Sequence, residues 1–123
     1  MRVIYGSTKT EKICTSYEEA KKFFGGRTIL ADCLMKRIYF LENTDFLKEV
    51  IDSHDMSFHN LHNKGKKNLN GYFAIDVKTR KDPWRIILQP LDDNLKPFNP
   101  CNIDVIAKAV RIVEIEEISK HYE

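Results

Sequence analysis

The feature that most restricts the fold is a pair of alternating stretches in the second half of the chain. In Tyr72-Phe73-Ala74-Ile75-Asp76-Val77, the residues Phe73, Ile75 and Val77 share one side, and from Trp84 to Gln89 the residues Trp84, Ile86 and Leu88 do the same. A period of two is the repeat of an extended strand, whose successive side chains point to opposite faces. The segment between them, Thr79-Arg80-Lys81-Asp82-Pro83, is short and polar. A parallel pair needs a crossover of about a dozen residues or more, so this pair is expected to be an antiparallel hairpin. The rest of the chain must cover its apolar face.

The first half supplies that cover. Ser16-Tyr17-Glu18-Glu19 has the pattern of a capping box, with the Ser16 hydroxyl on an orphan backbone N–H and Glu19 reaching back. Tyr17, Ala20, Phe23 and Phe24 then form an apolar stripe that Gly25-Gly26 ends. From Thr28 to about Asn43, Leu30, Cys33, Leu34, Ile38 and Leu41 recur at helical spacing, and Thr44-Asp45 can restart a short turn carrying Phe46, Leu47, Val50 and Ile51. Val3-Ile4-Tyr5 reads as a first strand, and the polar stretch from Gly6 to Thr10 leads toward the helix marked by Ser16. Val110 to Ile118 reads as a last strand, its apolar positions Val110, Ile112, Val113, Ile115 and Ile118 falling on both faces. Ser53 to Gly71 loses periodicity and reads as an exposed loop. Leu91 to Asp104, with Pro97 and Pro100, reads as surface chain. The expected class is α+β: an N-terminal strand, then two or three helices packed on one face of an antiparallel sheet, in a single domain spanning residues 1–123.

Composition narrows the function. With 42% hydrophobic and 31% charged residues, the chain reads as a globular protein. Its apolar runs, such as Arg85-Ile86-Ile87-Leu88, fall far short of the roughly 18 residues of a membrane span. No signal-peptide pattern opens it, so a cytoplasmic location without membrane contact is expected. Cys14, Cys33 and Cys101 are odd in number and lack metal-ligand spacing, so neither a disulfide framework nor a metal is expected. Cys33 reads as core filler. A net charge of +2 does not by itself select a nucleic-acid partner, so local clustering has to.

Several local motifs occur together along nearly the whole chain. They are Arg2-Val3-Ile4-Tyr5 followed by Thr10-Glu11-Lys12-Ile13-Cys14; Phe58-His59-Asn60-Leu61 with Lys64-Gly65-Lys66-Lys67; Gly71 to Val77; Trp84 to Leu91; and Val113 to Tyr122. In this order they resemble the RelE/ParE superfamily of toxins from bacterial toxin–antitoxin pairs, the HigB type in particular. The resemblance implies a RelE-like fold and, usually, cleavage of messenger RNA on the ribosome. It also implies a cognate HigA-like antitoxin with a helix-turn-helix, through which alone operator DNA is contacted. Two positions depart from the pattern. Asn70 stands where such toxins often place Lys or Arg before the glycine, and Lys120 precedes His121 where many relatives have an aromatic residue, with Tyr122 following instead.

Cleaving RNA without a metal or cofactor requires a group that takes the 2′-hydroxyl proton, cations at the crowded phosphate, and a group that protonates the 5′-oxygen. Arg85 lies mid-strand, opposite in face to Trp84, Ile86 and Leu88, and is expected on the sheet surface facing the phosphate. The plain alternative is a solvated or salt-bridged strand residue. His121 lies just past the last strand, where the resembled family places a catalytic His, and the resemblance implies that it is the general acid or base. Lys66 and Lys67 complete the catalytic candidates, while Lys64, His62, Lys120 and Tyr122 are expected to hold RNA, Tyr122 by stacking on a base. His59 reads as a polar loop residue. Two other classes stay open: a ParE-like inhibitor of DNA gyrase, which shares the architecture, and a non-catalytic module that binds nucleic acid or protein.

Overall fold

The computed structural model describes residues 1–61 and 68–121. In chain order it contains β1 (Arg2–Tyr5), α1 (Thr8–Thr15), α2 (Tyr17–Phe23), α3 (Thr28–Asn43), α4 (Leu47–Ile51), a single 3-10 turn (His54–Met56), β2 (His59–Asn60), β3 (Phe73–Asp76), β4 (Arg85–Leu91), α5 (Ile103–Ile106) and β5 (Ile112–Ser119). The five strands form one sheet in the order β1-β5-β4-β3-β2. The class is α+β, and the hairpin of β3 and β4 is present with Asp76 opposite Arg85.

The sheet is mixed rather than antiparallel throughout. β1 pairs parallel with β5, Val3 opposite Val113, while the other pairings are antiparallel. A parallel pair needs a long crossover. Here nearly the whole chain, helices included, separates the two strands.

The helices divide differently from the sequence expectation. The stretch after Gly6 does not merely lead to a helix but forms one, α1, because the Thr10 backbone N–H donates to the Ser7 hydroxyl at 3.1 Å as an N-cap. Ser16 ends α1 and caps α2, accepting the Glu19 N–H at 3.3 Å. The Glu19 carboxylate pairs with Lys22 at 4.0 Å. In α3 the buried stripe is Leu30, Ala31, Leu34, Ile38 and Leu41, with Cys33 at its half-buried margin. Burial raises the Cys14 thiol to about 12, which keeps it neutral filler beside these residues.

One cluster joins Ile13, Ala20, Leu34, Leu41, Leu47 and Val50 from the helices to Phe73, Ile75, Ile86, Leu88, Val113, Ile115 and Ile118 from the sheet. The helical layer therefore lies on one sheet face. The other face is not bare. Leu61 and Leu69, both within the stretch from Ser53 to Gly71 expected to be an exposed loop, are 7% and 6% exposed and pack with Ala74 and Ile87 in a second, smaller cluster.

A β-bulge sets the phase of β5. Ile87 pairs with Glu117 and Leu88 with Ile115, so Glu116 is the extra residue. This brings Val113, Ile115 and Ile118 to the helix side together, although their spacing of two and then three reads as two-faced in sequence.

The bulge also gathers carboxylates. Burial, and then the neighbouring charges of Glu114 and Glu117, raise the Glu116 carboxyl above its ordinary value. A carboxyl raised in this way binds its proton more tightly folded than unfolded. Its contribution to stability is present below the ordinary carboxyl range and is lost as pH rises through the folded value. Glu116→Gln should therefore melt higher than the parent chain at neutral pH, with the gap closing as pH falls to about 4. A gap of equal size at both pH values in thermal denaturation would refute this.

Candidate functional site

Of the candidate residues, Arg85, Lys120 and His121 lie among the described ones, and all three are at the hairpin end of the sheet. The register lines up Asp76 on β3, Arg85 on β4 and Ser119 on β5. His121 follows two residues after Ser119, exposed, its backbone N–H donating to the Ser119 hydroxyl at 3.1 Å. Lys120, also exposed, holds its ammonium 5.4 Å from the centre of the Trp84 ring. The fold thus brings the segment carrying His121 to the start of β4, where Arg85 sits.

Arg85 itself is not on an open sheet surface. It is 5% exposed. Its Nε lies 3.3 Å from Asp76 Oδ1, one terminal nitrogen donates to the carbonyls of Asp82 and, at 2.9 Å, Trp84, and the other donates to the carbonyl of Arg80 at 3.0 Å. The turn curls over the strand's second face and presents these carbonyls inward, so the planar guanidinium bonds the protein's own backbone. This is the salt-bridged form of the strand residue, and the exposed arrangement expected from alternation is corrected.

Asp76 is 1% exposed, and among the described residues neither carboxylate oxygen accepts an aligned hydrogen bond. Its charge is offset by Arg85 and, more loosely at 3.9 Å, by Arg80. From the helix side, Arg37 on α3 donates through Nε to the carbonyls of Asp76 and Val77, at 3.0 and 3.2 Å, and through a terminal nitrogen to that of Lys78 at 3.1 Å. Two arginines therefore hold the turn, one from each face of the sheet.

The held turn presents cations. Lys78, Arg80 and Lys81 are exposed around it. Its carboxylate Asp82 is largely buried, bonded to the Trp84 N–H at 3.1 Å and ion-paired with Arg27 at 3.7 Å. Arg80, its side chain 59% exposed, lies with one terminal nitrogen 3.4 Å from His59 Nε2. The other ring nitrogen, Nδ1, is 2.6 Å from the Ser57 carbonyl. A carbonyl only accepts, so Nδ1 carries the hydrogen, and in the neutral ring Nε2 offers its lone pair toward Arg80. Ser57 reaches this position through a left-handed backbone, φ 50.

His59, Arg80 and Arg37 are the residues that sequence reasoning missed. A faint signal exists for His59. Phe58 and Leu61 are apolar within a polar stretch, and Phe58 stacks on Phe73 with ring centres 4.9 Å apart, which docks β2 against β3. The candidates Lys66 and Lys67, and the RNA-contact candidates His62, Lys64 and Tyr122, lie outside the described residues. Asn70 is exposed, in the turn before β3, at the opposite end of that strand from Asp76.

Among the described residues, no group of three or more His, Cys, Asp or Glu could hold a metal ion, and no helix is long and apolar enough to cross a membrane. No family model matches the chain, and no curated protein or solved structure matches it.

Removing the Arg85 guanidinium leaves the Asp76 carboxylate buried against a distant partner, a loss worth about 3–5 kcal/mol. Arg85→Leu should therefore destabilise strongly in urea denaturation, while Asp76→Leu added to it recovers the share due to the unpaired carboxylate and leaves the share due to the carbonyls of Arg80, Asp82 and Trp84. Equal stabilities for the parent and Arg85→Leu would show that the pair carries no weight.

Proposed function

We propose that the chain is a RelE-like toxin of the HigB type that cuts messenger RNA on the ribosome without a metal and is neutralised by a helix-turn-helix antitoxin. The observation that carries this reading is an imidazole of assigned tautomer beside an exposed guanidinium. His59 Nε2 faces Arg80 at 3.4 Å, at the sheet end that His121 also occupies. The motif order supports it, as does the element order of one strand, four helices and then four strands, with the short α5 before the last of them.

In this reading the ribose 2′-oxygen attacks the adjacent phosphorus and gives its proton to His59 Nε2. Arg80, with Lys78 and Lys81 beside it, offsets the charge that grows on the phosphate oxygens. His121 donates a proton to the departing 5′-oxygen, which leaves a 2′,3′-cyclic phosphate and a 5′-hydroxyl. Lys66 and Lys67 add charge at the phosphate, and Lys64, His62, Lys120 and Tyr122 hold the strand. Arg85 is a positioning residue. By fixing the carbonyls of Arg80, Asp82 and Trp84, it sets where the Arg80 side chain leaves the turn.

In a translating extract, His59→Ala and His121→Ala should each slow cleavage of a reporter message by about 10²–10⁴-fold, and Arg80→Ala by about 10²–10³-fold. Transcripts left intact by the parent chain, with replication blocked in cells that express it, would favour gyrase instead. Full cleavage by both histidine variants would leave the proposed chemistry without its acid and base.

Co-expression supplies a second test. A small helix-turn-helix protein encoded beside this chain should abolish growth arrest when both are induced. Arrest that persists beside such a protein, or the absence of any such neighbour, counts against a toxin role.

A further inference from the structure

At the other end of β3 and β4 from the cationic turn lies a cavity of about 710 Å³. That is within the range of about 300–1,000 Å³ that small-ligand pockets occupy. Three carboxamides line it: Asn60, which follows His59 directly on β2, Gln89 on β4, and Asn99 in the loop after β4. Among the described residues these amides have no hydrogen-bond partner. The rings of Tyr72 and Phe98 and the thiol of Cys101 line it as well.

The lining carries no formal charge. Burial raises the Cys101 thiol above its ordinary value. Burial, with the charges of Glu116 and Glu114, raises the Tyr72 phenol, so both groups stay neutral. The nearby carboxylates disfavour a phosphate or any other anion. What matches amide donors and acceptors beside aromatic rings is a flat, uncharged heterocycle with a hydrogen-bonding edge. Asn and Gln side chains read such edges in pairs of bonds, and aromatic rings stack on such faces.

We infer that this cavity takes one nucleobase of an RNA strand, read along its edge by the amides of Asn60, Gln89 and Asn99 and stacked on Tyr72 or Phe98. The inference rests on the RNA-cutting reading and gives it a source of sequence preference. Successive side chains of β2 serve the two functions, since His59 belongs to the proposed reaction centre and Asn60 to the cavity. The base bound there belongs to a nucleotide close to the cut.

The test measures binding and cleavage separately. Adenosine, guanosine, cytidine and uridine are titrated one at a time into the isotopically labelled full chain, and the side-chain amide signals of Asn60, Gln89 and Asn99 are followed by NMR. One nucleoside is expected to shift these signals to saturation. Its affinity should fall about ten-fold in Gln89→Leu and again in Asn99→Ala, an exposed position that leaves the strand intact. In the translating extract, Gln89→Leu should flatten the base preference next to the cut. Amide signals unmoved by all four nucleosides, or a folded Gln89→Leu chain that keeps the parent's base preference, would overturn the inference while leaving the nuclease standing. Saturable nucleoside binding by a chain that cuts no message would uphold the cavity and remove the nuclease.

Discussion

The arrangement of the proposed site depends on the grip of two arginines on one hairpin turn. A turn that folds back over a sheet buries carbonyls that no strand ladder can satisfy, and a buried polar group left unpaired is costly. Arg37 takes the carbonyls of Asp76, Val77 and Lys78 from the helix side, and Arg85 takes those of Arg80, Asp82 and Trp84 from the other. Guanidinium suits both tasks because its fork reaches several oxygens at fixed angles, which an ammonium does not. The buried charge of Asp76 follows from this arrangement. It balances Arg85 where water cannot.

In the proposed reading, a clamp of this kind lets a short connection carry recognition. Loops hold binding groups well when a rigid frame fixes their backbone, and here the two arginines reach the carbonyls of Val77, Lys78, Arg80, Asp82 and Trp84 between the two strands. At the tip Lys78, Arg80 and Lys81 are exposed cations, while the carboxylates of Asp76 and Asp82 are turned inward and paired. Charge is sorted by depth within one turn. Along β5 it is sorted the other way, where the bulge sets Glu116 beside Glu114 and Glu117. The same sheet therefore carries exposed cations at one end and a cluster of carboxylates along β5.

Much of this was legible in the sequence, and what escaped did so for physical reasons. The period-two stretches gave β3 and β4, and the stripe of Leu30, Leu34, Ile38 and Leu41 gave α3, because both follow directly from which side is buried. The parallel pairing of β1 escaped, since one strand's pattern carries no information about its neighbour's direction. Helix α1 escaped because its cap, Ser7, stands in a polar run that resembles a loop. The bulge escaped because a single extra residue changes the phase of β5 and makes a one-faced strand look two-faced. At the site, alternation gave the face on which Arg85 lies but not its exposure. Exposure depends on a turn folding over that face, and on Arg37, whose donation to carbonyls across the sheet leaves no local trace.

The correction of Arg85 shifts the chemical argument rather than ending it. A guanidinium whose nitrogens are engaged by backbone oxygens and a buried carboxylate is a poor first contact for a phosphate, because moving it would orphan Asp76 and several carbonyls together. The phosphate contact is better sought one step outward along the same chain of interactions. Arg80 has its backbone carbonyl held by Arg85, its side chain mostly in solvent, and its nearest imidazole held in one tautomer by the Ser57 carbonyl. In that geometry the buried arginine supplies rigidity and the exposed one supplies charge. In the proposed reaction a change at either position would therefore impair cleavage, but through opposite signatures. Loss of Arg85 acts through stability and the placement of the turn, and loss of Arg80 acts through the transition state of a chain that remains fully folded.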